Sequence, residues 1–205
     1  MTTTQQPAAA QRPQGLPARP RLLLLCLAAF VGAFGLSVAL TALLPAADRI
    51  EAGEWGAIGL FAAGAIPLAV IDARTRRLPN LGTFPLAAAI LGYWVGTAMT
   101  TGHWQLLIQT TVTTIATVAV VFLIALFGTL AAGDVKLLIA IALLTGWFSW
   151  MLPLYALLAS YLLAIPHAAV ILAHKRHHDR DTRLPFGPYL VAAAIIVTIA
   201  AKLFG

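Results

Sequence analysis

Charge is what this sequence has least of. Only 10% of its 205 residues are Asp, Glu, Lys or Arg, against about a quarter in an average soluble domain. A water-soluble fold of this length could not bury so much apolar surface, because 60% of the residues are hydrophobic; the solvent is therefore lipid. Cysteine is nearly absent as well. Cys26 is the single one, which excludes a disulfide within the chain and a zinc site of the CxxC…CxxC kind. It lies in an apolar run and reads as a small packing residue. Acids are also scarce, seven against thirteen Lys and Arg. The resulting charge of +6 does not point to nucleic acid, because the basic residues have a better explanation in membrane orientation.

Long apolar runs are present in quantity. Crossing a hydrocarbon core of about 30 Å takes roughly 20 apolar residues as helix. The runs do not alternate as barrel strands do, and lipid leaves only helices or closed barrels as spanning structures. The fold class is therefore all-α, a polytopic transmembrane helical bundle. The runs cover 22–44, 55–71, about 81–99, about 106–130, 137–152, 154–173 and about 189–204, which gives about seven helices. Residues 1–20 are rich in Gln, Pro, Ala and Thr and read as a disordered cytoplasmic tail. Residues 21–205 read as one membrane-embedded domain. The first run is too long for the core of a signal peptide and reads as a retained helix. The GxxxG-like spacing from Gly32 to Leu36 is incomplete, and no helix pairing is read from it.

Lys and Arg in short loops set the orientation. With the N-terminus in the cytoplasm, eleven of the thirteen fall inside, and only Arg49 and Lys202 fall outside. Trp55, Trp104, Trp147 and Trp150 then all lie at outer ends of spans, where an aromatic belt belongs. The fifth run is short. Reading 137–173 as one crossing would put Lys175, Arg176, Arg180 and Arg183 outside, and Pro153 favours a turn there. The expected location is the inner (cytoplasmic) membrane, with basic loops meeting anionic membrane lipids.

This topology sorts the acids. Asp48, Glu51 and Glu54 share an outer polar stretch, and Asp179 and Asp181 sit among arginines in an inner loop. Two remain. Asp72 directly follows the second run, and Asp134 lies between the fourth and fifth. Both are placed at the inner membrane face. Ionisable groups at such a boundary are functional candidates, although each could also simply cap a helix or pair with a neighbouring base. Two carboxylates a few ångströms apart cannot both ionise easily, so one holds a proton. The ionised one can take a proton from water and the protonated one can donate to a peptide carbonyl, without metal or cofactor. Gly133, beside Asp134, has no Cβ and would let a substrate backbone approach closely. Lys136 could tune the pair or bind a substrate acid.

The segments around these acids resemble a known family. Asp72-Ala73-Arg74-Thr75-Arg76-Arg77-Leu78-Pro79-Asn80 is similar to the D-x-x-x-x-x-I-P-N segment of the prepilin peptidases, the type IV leader peptidases of the A24 aspartic class. Ala131-Ala132-Gly133-Asp134-Val135-Lys136-Leu137-Leu138 is similar to their G-x-G-D-V-K-L segment, with Ala131 in place of the first glycine. Leu184-Pro185-Phe186-Gly187-Pro188-Tyr189-Leu190 is similar to their I-P-F-G-P-F-L segment. The three occur in the family's order over about 60–195. The resemblance implies that six helices form the peptidase core and that Asp72 and Asp134 are the catalytic aspartates. It also implies that Pro79, Asn80, Pro185 and Gly187 shape the loops around them. The implied substrates and partners are prepilin or pseudopilin helices, cut on the cytoplasmic side. With one cysteine, the chain resembles the short, peptidase-only members that lack the CxxC-bearing N-methylation domain.

Other classes make different expectations. A proton-coupled transporter would use the two acids as a relay, but transporter sites lie near the bilayer midplane. A non-catalytic pilus or secretion assembly subunit would carry a decayed site, with Ala131 as its sign. His167, after Pro166, reads as a packed or hydrogen-bonded histidine at a helix kink. His174, His177 and His178 read as loop charge rather than a metal site. No sequence feature reports the oligomeric state.

Overall fold

The computed structural model describes residues 18–76, 78–126, 132–174 and 185–204. The expected tail up to residue 17, Ala131, Arg77 and the basic loop with His177, His178, Asp179 and Asp181 lie outside these residues. Seven helices follow one another among the described residues, with no strand: α1 (Ala18–Ala42), α2 (Arg49–Thr75), α3 (Asn80–Thr101), α4 (Trp104–Leu126), α5 (Ala132–Thr145), α6 (Leu152–His174) and α7 (Gly187–Phe204). Six are long and apolar enough to cross a membrane, as the apolar runs predict. The seventh, α5, has 14 residues, about 21 Å at 1.5 Å per residue, which is short of a full crossing.

α2 overruns its apolar run at both ends and α5 at its start. α2 begins at Arg49 and ends at Thr75, so Glu51, Glu54 and Asp72 are helical, where the sequence suggests a polar loop and a residue beyond the span. α5 starts at Ala132, which puts Asp134 in its first turn and not in a loop. At a membrane boundary the backbone keeps its hydrogen bonds inside the helix. Polar side chains there can reach outward instead, so polarity alone does not end the helix.

The C-terminal end of α5 stops within the bundle, and its open carbonyls need donors. Trp94 Nε1 donates to Leu143 O at 2.9 Å and Gln109 Nε2 to Gly146 O at 3.0 Å. A turn over 146–151 then leads into α6. Trp147 lies in that turn and is 1% exposed, its ring stacked on Trp94 at 4.1 Å. It is therefore not part of an aromatic belt, because it fills space beyond the end of the short helix. Trp55, Trp104 and Trp150 are exposed, as belt residues should be.

Neighbouring contacts fix the directions. α2 and α7 run antiparallel, with Asp72 beside Gly187 at one end and Glu54 paired to Lys202 at the other. α3 and α5 run parallel, joined by Lys136 to Asn80 at one end and Trp94 to Leu143 towards the other. α1 packs on α3 through Gly92 and Gly96. A Cβ on Gly92 would stand 2.3 Å from Phe30 O, and one on Gly96 would stand 2.8 Å from Phe34 O. The close approach lets Ser37 bond Thr97 (2.8 Å) and Thr41 bond Thr100 (2.7 Å), the small-residue and hydroxyl pairing common between membrane helices. Arg49 Nε donates to Leu44 O at 3.0 Å, just past the end of α1, and its Nη1 reaches Thr100 O near the end of α3 at 3.5 Å.

Candidate active site

The end of the bundle that holds Asp72 and Asp134 is built from three helix starts and one helix stop. α2 stops at Arg76, which takes a left-handed conformation (φ 52°) and donates its backbone N–H to the carbonyl of Asp72. Three residues later Pro79 caps α3, its carbonyl accepting from Gly82 and Thr83. This tight connection packs on the first turn of α5, where a Cβ on Gly133 would lie 3.3 Å from Leu78 Cβ. Lys136 Nζ donates to Asn80 Oδ1 at 2.7 Å and stands 5.8 Å from the Phe84 ring centre. In this structure Gly133 and Lys136 therefore hold the 78–80 connection against α5, contacts that the sequence does not suggest for them.

Both carboxylates are buried, Asp72 at 5% and Asp134 at 8% exposure. A buried charge needs compensation. For Asp134 part of it is local, since the first turn of a helix presents unpaired N–H groups and the positive end of the dipole. Asp72 sits in the last turn of α2, the wrong end for an anion. Its compensation comes from another helix. The backbone N–H of Gly187 donates to Asp72 Oδ2 at 2.9 Å. Phe186 O accepts from Tyr189 N and Leu190 N, so Gly187 supplies the first amide of α7. Asp72 thus caps α7 from the neighbouring helix. A Cβ at 187 would stand 2.7 Å from Asp72 Oδ2, so this approach requires glycine.

α6 holds the start of α7 from its other side. The rings of Tyr161 and Phe186 are 4.9 Å apart, and His167 Nδ1 hydrogen-bonds Tyr189 Oη. The hydrogen-bonded histidine after Pro166 matches its sequence reading. Tyr161 is also within electrostatic reach of Asp134. α6 thus stands against the start of α7, whose first amide holds Asp72. The structure brings Asp72, Asp134, Gly133, Lys136, Pro79, Asn80, Pro185 and Gly187 to one end of the bundle. Tyr161 is not found from the sequence, where a tyrosine in an apolar helix carries no signal. Among the described residues no group of three or more His, Cys, Asp or Glu is placed to hold a metal ion.

The comparison with known families agrees with this arrangement. The profile of the Type IV leader peptidase family matches residues 59–169, just over half of the chain. That stretch contains both aspartates and the 78–80 connection. It ends before Pro185 and Gly187, so the resemblance drawn over about 60–195 is shown as far as residue 169. No curated protein and no solved structure matches the chain. The all-helical bundle, its membrane-length helices and the family match together lead to one conclusion: the chain belongs to the Type IV leader peptidase family and is a multi-pass membrane peptidase.

Proposed function

We propose that the chain is an aspartic endopeptidase in which Asp72 and Asp134 are the catalytic pair. Its substrates would be prepilin-like or pseudopilin precursors, cut in the inner membrane with the site facing the cytoplasm. The observation that carries the reading is that two buried carboxylates share one end of an acid-poor bundle, Asp72 accepting from the first amide of α7 and Asp134 lying in the first turn of α5. Such placement tolerates a negative charge and leaves no other side chain needed as nucleophile. The basic residues expected around this end favour its cytoplasmic orientation.

In this reaction the ionised carboxylate takes a proton from a water molecule, whose oxygen attacks the scissile carbonyl carbon. The protonated carboxyl gives its proton to the carbonyl oxygen. Collapse of the tetrahedral intermediate breaks the C–N bond and re-forms the carbonyl. The leaving nitrogen takes up one proton, and the pair again shares one. Gly187 holds Asp72 through its amide, while Lys136 and Asn80 hold the first turn of α5 that carries Asp134.

The test is co-expression with a prepilin-like precursor from the same genome, weighing the product by mass spectrometry. Wild-type protein should remove the leader. Asp72→Asn and Asp134→Asn should each lower the rate by about 10²- to 10⁴-fold, the usual contribution of a general acid or base. Equal processing by both variants would defeat the assignment.

A further inference from the structure

Beside Asp72 the bundle surface carries an apolar groove of about 360 Å³ between α2 and α7. One wall is Ala69, Val70 and Ala73, and the other is Pro188, Val191 and Ala192; Ile66 and Ile195 close the far end. The lining residues follow i, i+3, i+4, i+7 spacing on both helices, so each wall is one helical stripe. Each stripe spans seven residue steps, about 10 Å along the helix. Val191 forms a buried floor, whereas Ile66 and Val70 are 50% and 44% exposed. No polar side chain lines it.

The groove's register is informative. Its near end is Ala73, next to Asp72, and Pro188, next to the Gly187 amide that holds Asp72. An apolar helix lying in the groove would have its end at that point. The peptide bonds just beyond this end would then meet the carboxylate. The small side chains of Ala69, Ala73 and Ala192 let a helix backbone come close, as at other membrane helix contacts. An acyl chain could fill the same volume, but nothing about it would require the groove to end at the Asp72–Gly187 bond.

We infer that this groove seats the membrane-spanning helix of the precursor, setting which peptide bond reaches Asp72. The inference rests on the peptidase reading above and adds the face by which the substrate enters. It makes α2 and α7 the substrate-facing pair and leaves α1 and α4 to lipid.

The test uses the full chain in proteoliposomes with a precursor that retains its apolar helix. Ala192→Trp fills the groove and should raise KM about tenfold with kcat little changed, in the range expected for overpacking a tight contact. Ile165→Trp on the lipid-exposed face of α6 is the control and should match wild type. Equal kinetics for the two variants would overturn the groove. A photo-crosslinking residue at Val70, in the Asp72→Asn background, gives a readout independent of cleavage. Adducts on the apolar helix of the precursor support the inference. Adducts only with lipid, or only with a second copy of the chain, overturn it. Failure of the peptidase reading shows separately, as wild-type protein that leaves the precursor uncut.

Discussion

At the end of the bundle away from the aspartates, side chains close the structure. Trp94 and Trp147 stack, Phe148 packs edge-on against Trp94, and Trp94 and Gln109 cap the carbonyls around the end of α5. Lys202 and Glu54 tie α7 to α2. At the aspartate end the joints nearest the two buried carboxylates are backbone amides, glycines and one lysine, with α6 bracing the start of α7 through Tyr161 and His167. The first end is held by contact area and tolerates a wrong atom by shifting. The second is held by a few directed bonds around groups that dislike burial. Damage to the first should therefore lower stability, and damage to the second should lower rate.

Four substitutions test this contrast. The largest effect is expected from Gly187→Ala, whose Cβ collides with Asp72 Oδ2. Cleavage should fall roughly hundredfold, the scale of an ångström-level misplacement, mostly in kcat, with the melting temperature little changed. A variant that melts early and cleaves normally would break the contrast. Trp147→Ala is its mirror. It should lose roughly 3 kcal/mol, the low end for removing a large buried ring, measured by thermal unfolding in detergent. The rate per folded molecule should stay within about threefold if directed bonds rather than packing set the chemistry. Lys136→Met removes the tether to Asn80, and the loss of a charged hydrogen bond of about 1.5 kcal/mol predicts roughly tenfold slower cleavage. Lys136→Arg should restore part of it if the contact to Asn80 is what counts. The smallest effect is expected from Lys202→Met, at less than about 1 kcal/mol for a partly exposed ion pair, with unchanged cleavage.

The helices are legible in the sequence because lipid demands long apolar runs, and each run recurs as a helix. Asp72 and Asp134 stand out there too, since few acids occur and loops account for the others. What stays hidden lies at the boundaries. Asp72 and Asp134 fall inside helices because the backbone keeps its bonds where the side chains turn polar. Trp147 reads as a belt residue because its position in the chain fits one, while its burial depends on α5 ending early. Gly92 and Gly96 form a complete GxxxG spacing that is easily passed over among so many small residues, and the close seam of α1 on α3 depends on them. Tyr161 carries no sequence signal, and although the motif around Gly187 points to the site, the bond of its amide to Asp72, across 115 positions, comes only from folding.

The stacked indoles have one more consequence. They separate the two ends of the bundle by packing rather than by charge. Here Trp94 and Trp147, fully buried and stacked, stand between the aspartate end and the opposite face, and the carbonyls beside them are taken up by side chains. The far half of the bundle is therefore closed by ring stacking and side-chain caps.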